Sequence, residues 1–256
     1  MPRSANRKIQ KIHTLSSGRE AEFRKRFYAH FENCPIPAEE LFNNLGLFLS
    51  RQSLSRLLYM HELYQKVVNV HGVVAEFGTR WGQNLALFSS FRGIYEPYNH
   101  TRKIIGFDTF SGFTGVSRRD KRSPSVMTGA YGVSPGYERY LEGILDYHEQ
   151  ESPLSHIKKY ALVKGDVAVT VPRYLKDHPE TIIALAYFDM DLYEPTRKCL
   201  GAIRDYLTRG SILAFDELCH PAFPGETAAV REVLGTRHCR IERSPLAPTC
   251  AYVIVE

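Results

Sequence analysis

"GVVAEFG", Gly72–Gly78, followed by "WGQNLALFSSFR", Trp81–Arg92, decides the fold. The first stretch is a short apolar run that breaks at a glycine; the second carries its apolar residues at helical spacing. A buried strand, a glycine-containing turn and a helix together make the opening unit of a parallel α/β sheet.

The same alternation repeats downstream. Strand-like runs at "KIIGFD" (103–108), "YALVKGD" (160–166), "TIIALAYFD" (181–189) and "SILAFDE" (211–217) are separated by helical ones. Those helical runs are "YERYLEGILDYHEQ" (137–150), "VAVTVPRYLKDH" (167–178), "PTRKCLGAIRDYL" (195–207) and "GETAAVREVLG" (225–235). Strands and helices of these lengths give a parallel sheet with right-handed crossovers. At the end, "RHCRIER" and "TCAYVIVE" are two strand-like runs joined by a Pro-containing turn, which predicts an antiparallel C-terminal hairpin. The expected fold is α/β and Rossmann-like: a seven-stranded, mostly parallel sheet.

Ahead of it, residues 1–18 are polar and basic without a hydrophobic period and read as a flexible tail. Residues 19–71 are helical in pattern ("REAEFRKRFYAHFENC", "PAEELFNNLGLFLS", "SLSRLLYMHELYQKVVNV") and predict an N-terminal helical cap or oligomer surface before a domain over 72–256. The Gly/Ser/Arg-rich stretch 109–136 exceeds ordinary loop lengths and reads as a lid or a disordered surface segment.

A chain of 256 residues, 43% hydrophobic and 24% charged, fits one ordinary globular core. No stretch reaches the about 20 apolar residues that span a bilayer, and the N-terminus lacks the apolar middle of a signal peptide; the expected location is the cytoplasm, with no membrane partner. Five cysteines without CxxC spacing read as free thiols rather than a disulfide framework or zinc site. The net charge of +5 comes with no nucleic-acid motif, and a phosphorylated small molecule accounts for it as well as a polymer does.

Ligands of open α/β sheets bind beyond the carboxyl ends of the strands, and every chemistry-bearing motif lies at such an end. "EFGTRWG", Glu76–Gly82, offers glycines for a tight turn and close backbone approach, but it is not GxGxxG, which argues against a dinucleotide. Asp108 is placed to accept from two ribose hydroxyls, and Asp166 to face an adenine amino group. A plain helix N-cap is the alternative for each. Together with the glycine turn they describe an adenosine pocket without phosphates.

"AYFDMDLYEPT" (186–196) then delivers Asp189 and Asp191, and the next strand Asp216 and Glu217. Asp189, Asp216 and Glu217 offer hard oxygen ligands suited to Mg²⁺, Ca²⁺ or Mn²⁺, which leaves Asp191 to take a proton, with His220 as second candidate base. Here too, simple helix capping is the alternative. In the suspected lid, Arg118, Arg119, Lys121 and Arg122 are candidates for nucleotide-sugar phosphates, or else a solvated charge run. Tyr193 is a further candidate substrate contact, and Trp81 either stacks on a ligand or packs.

An Asp-x-Asp phosphohydrolase would carry the pair on its first strand, with Thr or Val where Tyr193 stands. A glycosyltransferase would not explain the glycine turn with Asp108 and Asp166, and a degenerate binding module would not keep every acidic position filled.

"VVAEFGTRWG", "GFDTFSGF", "KGD", "FDMDLYEPT" and "GSILAFDE", in this order, resemble the macrocin O-methyltransferase family, over about residues 50–256. The resemblance implies a class I enzyme dependent on S-adenosylmethionine (SAM) and a divalent metal, Mg²⁺ above others. Its acceptor would be a deoxysugar hydroxyl, a TDP-deoxyhexose such as TDP-rhamnose, in bacterial natural-product biosynthesis; a catechol or phenolic acceptor is the runner-up. It assigns the cofactor to Glu76, Gly78 and Gly82 with Phe77, Thr79 and Trp81, to Asp108 with Thr109 and Phe110, to Gly165, Asp166 and Val167, and to Asp189. It assigns the metal to Asp189, Asp216 and Glu217 and the general base to Asp191; a homo-oligomer is expected separately, because the N-terminal helices carry more apolar surface than one cap needs. The chain departs from the family pattern at Glu217, where a second Asp is usual, and at Ser211, where a second Gly is usual.

Overall fold

The computed structural model describes residues 17–121 and 125–256. Three N-terminal helices come first: α1 (Gly18–Glu32), α2 (Ala38–Asn43) and, after a 3-10 turn at Leu45–Phe48, α3 (Arg51–Val67). Ser17 and Glu20 form a capping box that starts α1, yet neither α1, α2 nor the turn buries a residue. Phe48 meets Phe27 and Phe31 there, with ring centroids 6.1 and 5.0 Å apart. α3 behaves differently, because Tyr59, Met60, Leu63, Tyr64 and Val67 form a buried stripe against the sheet.

The sheet then alternates with helices: β1 (Val73–Phe77), α4 (Gln83–Tyr95), β2 (Ile104–Asp108), α5 (Tyr137–Gln150), β3 (Tyr160–Lys164), α6 (Val167–Asp177), β4 (Ile183–Phe188), α7 (Tyr193–Ile203), β5 (Leu207–Phe215), α8 (Pro224–Val233), β6 (Ile241–Arg243) and β7 (Ala251–Ile254). The strand order is β3-β2-β1-β4-β5-β7-β6, with β7 antiparallel to both of its neighbours. The seven-stranded Rossmann-like sheet and its C-terminal hairpin are therefore as the sequence pattern predicts. Among the described residues, no helix is long and apolar enough to cross a membrane.

Period-two alternation splits the core into two layers. Val74, Ile212 and Ala214 face a cluster with α3, α4 and α5, while Ala75, Phe77, Leu213 and Phe215 face one with α6, α7 and α8. Some boundaries shift for local reasons. α4 starts at Gln83 rather than Trp81 because Gly82 sits at φ +77°, outside helical space. α7 ends at Ile203, and Leu207, predicted to be helical, instead opens β5. Ser211, where the family usually has a second Gly, donates its hydroxyl to the Ile183 carbonyl at 2.7 Å and accepts the Thr208 N–H at 2.9 Å; it stitches the register shift between β4 and β5.

One feature of the register positions the site. Phe77 pairs with Phe107 and with Phe188, and Phe188 with Phe215, so four rings form a ladder across β2, β1, β4 and β5 with centroids 4.9–5.3 Å apart. The residues that follow these rings are Gly78, Asp108, Asp189 and Asp216. They lie in one row at the carboxyl edge, and alternation turns Asp189 and Asp216 toward the α3 face.

Candidate functional site

At that edge, where strand order reverses between β1 and β4, lies a cleft of about 460 Å³. Of the residues expected from the sequence, Gly78, Thr79, Trp81, Gly82, Asp108, Thr109, Asp166, Val167, Asp189, Asp191, Asp216, Glu217 and His220 line it. Arg56, Arg80, Asn84 and Tyr131 line it as well.

The first wall is the turn between β1 and α4. Gly78 has φ +96°, and a Cβ there would lie 2.0 Å from the Asp189 carbonyl oxygen, so only glycine lets the turn cross the end of β4. Asp108 fixes the same turn from the next strand. Its Oδ2 accepts the Arg80 N–H at 2.7 Å and its Oδ1 the Phe110 N–H at 2.6 Å, which holds two loops against one carboxylate. Burial still raises this carboxyl above its ordinary range, although both backbone bonds oppose the shift. Asp166 caps α6 by accepting the Ala168 N–H at 2.9 Å while also facing the cleft, so capping and lining are not exclusive.

Other expected contacts stand behind the wall. Phe77 belongs to the ring ladder, and Phe110, at φ +54°, is buried in the α3–α5 layer. Glu76 is buried beneath the turn, where its Oε1 accepts the Asn84 amide at 2.7 Å; burial drives its carboxyl well above the usual range, although the Asn84 bond opposes the shift. Gly165 precedes the capping Asp166 and does not itself line the cleft.

The second wall is acidic. Asp191, at φ +60°, is 9% exposed. Its carboxyl is raised well above the usual value, by burial first and then by the charges of Asp189 and Glu217. Burial and the facing Asp216 raise Asp189 to about 7; burial and the same neighbour raise Glu217 to about 8. His220 lines the rim, and its Nδ1 accepts the Ala222 N–H at 3.3 Å, which leaves Nε2 as the ring's N–H donor.

Four partners of this wall have no counterpart among the sequence candidates. Arg56 donates from Nη1 to Asp216 Oδ1 and from Nη2 to Asp189 Oδ2, both at 2.7 Å. Asp216 Oδ1 also accepts the Tyr187 hydroxyl and, at 3.3 Å, the Cys250 thiol, so a cysteine without an expected role is part of the site. The signal for Arg56 is its place on α3: one turn before Tyr59 and Met60, a charge on the core-facing stripe.

The fourth is Glu226, fully buried at the start of α8, which accepts the Glu217 N–H at 2.7 Å through Oε2. Oε1 has no partner among the described residues, and burial raises the carboxyl well above its usual value. The folded state therefore favours the protonated form, and stability falls as pH rises from the ordinary carboxylate range toward the raised value. Glu226→Gln is expected to flatten that fall, so that it matches wild type within about 1 kcal/mol near pH 5 and is the more stable of the two at pH 7, whereas Glu226→Ala costs about 1–3 kcal/mol at pH 5. Urea unfolding of the three proteins between pH 5 and 9 checks this; identical pH dependence of wild type and the Gln variant would contradict it.

The suspected lid is held from outside the cleft. Asp120 accepts the Tyr193 N–H at 2.8 Å and so caps α7, whose own N-cap, Leu192, has no side chain to do it. Arg119 is paired with Glu232 and lies 4.3 Å over the Tyr193 ring, whose hydroxyl also donates to Glu232, at 2.6 Å. Neither Arg119, the exposed Arg118 nor Tyr193 lines the cleft, so the lid cations expected at a phosphate are turned to the outer surface; Arg122 lies outside the described residues. Tyr131 enters the cleft instead, its ring 4.8 Å from the Arg80 guanidinium.

No protein-family model matches the chain, and a search of curated proteins returned no match. Among solved structures, the calicheamicin methyltransferase CalS11 is 48% identical over 98% of both chains with a TM-score of 0.91. The apo form of CalS11, described as a TDP-rhamnose 3'-O-methyltransferase, gives 47% identity over 95% of this chain and 96% of that one, with a TM-score of 0.83. The O-methyltransferase NovP, 17% identical over 78% of this chain and 79% of its own, shares the fold at a TM-score of 0.58. Near-complete coverage at almost half identity, with the motif residues gathered at one cleft, makes this chain a methyltransferase of the macrocin O-methyltransferase family.

Proposed function

We propose that the protein transfers a methyl group from SAM to a hydroxyl of a deoxysugar, a TDP-deoxyhexose of the TDP-rhamnose type, in bacterial natural-product biosynthesis. The observation that carries this reading is the cleft itself, where the Gly78 turn and Asp108 stand across from a buried carboxylate of raised pKa. The identity of 48% to the calicheamicin methyltransferase supports the acceptor class.

SAM fits the residues present. Thr79 Oγ1 is buried with no partner among the described residues, and Gly82 leaves the first turn of α4 without a side-chain cap. The turn Gly78–Gly82 would hold the methionine end, Asp108 the ribose, and Asp166 with Val167 the adenine. The cofactor supplies an electrophilic methyl group bound to a positively charged sulfur.

The chain's own residues do the rest. A sugar hydroxyl holds its proton far above pH 7, so attack needs a base in place as the new C–O bond forms and the C–S bond breaks toward sulfur. Asp191 takes that proton; burial beside two other acids gives its carboxylate more affinity for it than a solvated one has. Tyr131 and His220 flank the remaining opening and orient the acceptor.

A divalent metal at Asp189, Asp216 and Glu217 matches in donor chemistry but not in arrangement. The Arg56 guanidinium bridges the first two, and among the described residues no three ligating side chains gather around one point. No step is assigned to a metal. The exposed apolar side chains of the N-terminal helices, Phe23, Phe42, Leu47 and Leu54 among them, support a homo-oligomer that covers them.

Thermal shift with S-adenosylhomocysteine (SAH), NAD and TDP, each with Mg²⁺ or EDTA, tests the cofactor: SAH at about 100 times its Kd should add about 2.7 kcal/mol of stability. Stabilisation by NAD but not SAH would defeat the reading. Labelled SAM with a panel of TDP-deoxyhexoses and a catechol separates the acceptors.

A further inference from the structure

The carboxylates best placed for a divalent cation already have a cation between them, and it belongs to the chain. Arg56 forks so that Nη1 meets Asp216 and Nη2 meets Asp189, each at 2.7 Å. One planar group thus satisfies two carboxylates on neighbouring strands, a geometry that suits guanidinium and not ammonium. The arrangement is built from three sides: α3 supplies the arginine, the ring-ladder register turns both aspartates toward it, and Tyr187 and Cys250 hold Asp216 Oδ1 in place. Arg56 also keeps its charge at any working pH, so it cannot yield the position by losing a proton. Its side chain is nevertheless 31% exposed at the cleft wall, which leaves it a path toward solvent.

We propose that Arg56 is the resident counter-cation of the Asp189–Asp216 pair, and that a divalent cation gains these carboxylates only by displacing it. Without a cation, Asp189, Asp191, Asp216 and Glu217 would stand together at one rim, and their repulsion would oppose folding. Arg56 relieves that repulsion in the empty protein. The same contact lowers apparent cation affinity, because only the fraction of molecules with the pair released can bind. Arg56 is in this sense a positioning residue: it sets the state of two acids before any ligand arrives. The inference rests on reading Asp189 and Asp216 as a cation-binding pair, but it does not need the identity of the methyl acceptor.

The test is Mn²⁺ binding to the full chain without cofactor, followed by calorimetry or by the free-ion resonance signal. Arg56→Gln is expected to bind Mn²⁺ about tenfold tighter or more than wild type, and Arg56→Lys to fall between them, since an ammonium bridges the pair poorly. In EDTA the Gln variant should melt below wild type, and added Mn²⁺ should restore more of its Tm than it adds to wild type. Wild type gives an independent reading: phenylglyoxal labelling of Arg56, mapped by peptide mass, should speed up when Mn²⁺ is present. Equal or weaker binding by the folded variants, or labelling indifferent to Mn²⁺, overturns the inference. Absence of binding in all three proteins overturns it together with the cation pair, while SAH binding, measured separately, keeps that failure distinct from failure of the methyltransferase reading.

Discussion

Asp191→Asn is expected to lower kcat by about 10²–10⁴-fold while leaving SAH affinity unchanged within about twofold. The substitution removes the proton acceptor with little structural disturbance. Asp191 sits at φ +60°, a conformation that Asn tolerates as well as Asp does, and the two side chains have nearly the same shape. It also removes one member of a crowded acidic rim, so the folded protein should be no less stable than wild type. Single-turnover methyl transfer with labelled SAM, beside SAH titration and a melting curve, separates the three quantities. Full turnover in a folded, SAH-binding variant would take Asp191 out of the reaction.

The second large effect is structural. Gly78→Ala should destabilise the protein by about 3 kcal/mol or more, because two penalties fall on one residue. The backbone there is at φ +96°, and the added Cβ would stand 2.0 Å from the Asp189 carbonyl oxygen. That oxygen belongs to backbone and cannot rotate away, so either β1 or the end of β4 has to move. Movement of β4 would carry Asp189 and Asp191 with it, and SAH affinity should fall along with stability. Denaturant unfolding and SAH titration of the variant check both; wild-type stability would mean that the turn tolerates a side chain the geometry excludes.

The two effects differ in how far they could be read beforehand. Gly78 stands out in "VVAEFGTRWG" because an apolar run ends there on a residue free of Cβ, and the turn chemistry is local. Asp108, Asp189 and Asp216 stand out for a related reason: each follows a phenylalanine that closes a strand-like run, a pattern repeated along the chain. The parallel alternation of strands and helices, the C-terminal hairpin and half of the cleft lining follow from period, turn residues and strand ends. Local chemistry specifies these, so the sequence carries them.

What the lid arginines do was not legible in this way. A basic run such as "SRRDKR" has the same composition whether it faces a phosphate or the outer surface, and only the folded chain places Glu232 and the Tyr193 ring beneath Arg119. The position of Glu226 is of the same kind, since nothing in "GETAAVREVLG" distinguishes a solvated first-turn glutamate from one buried against the Glu217 backbone.

By itself, then, the sequence determined the sheet, its edge and the row of acids on it, because strand period and glycine turns act over a few residues. Tertiary structure alone decided what those acids meet. Arg56 lies 133 residues from Asp189 and 160 from Asp216, and its guanidinium reaches both only because the stripe of α3 and the register of β4 against β5 converge on one face of the sheet. Contacts between residues so distant in the chain depend on how whole elements pack, which no local pattern of residues encodes.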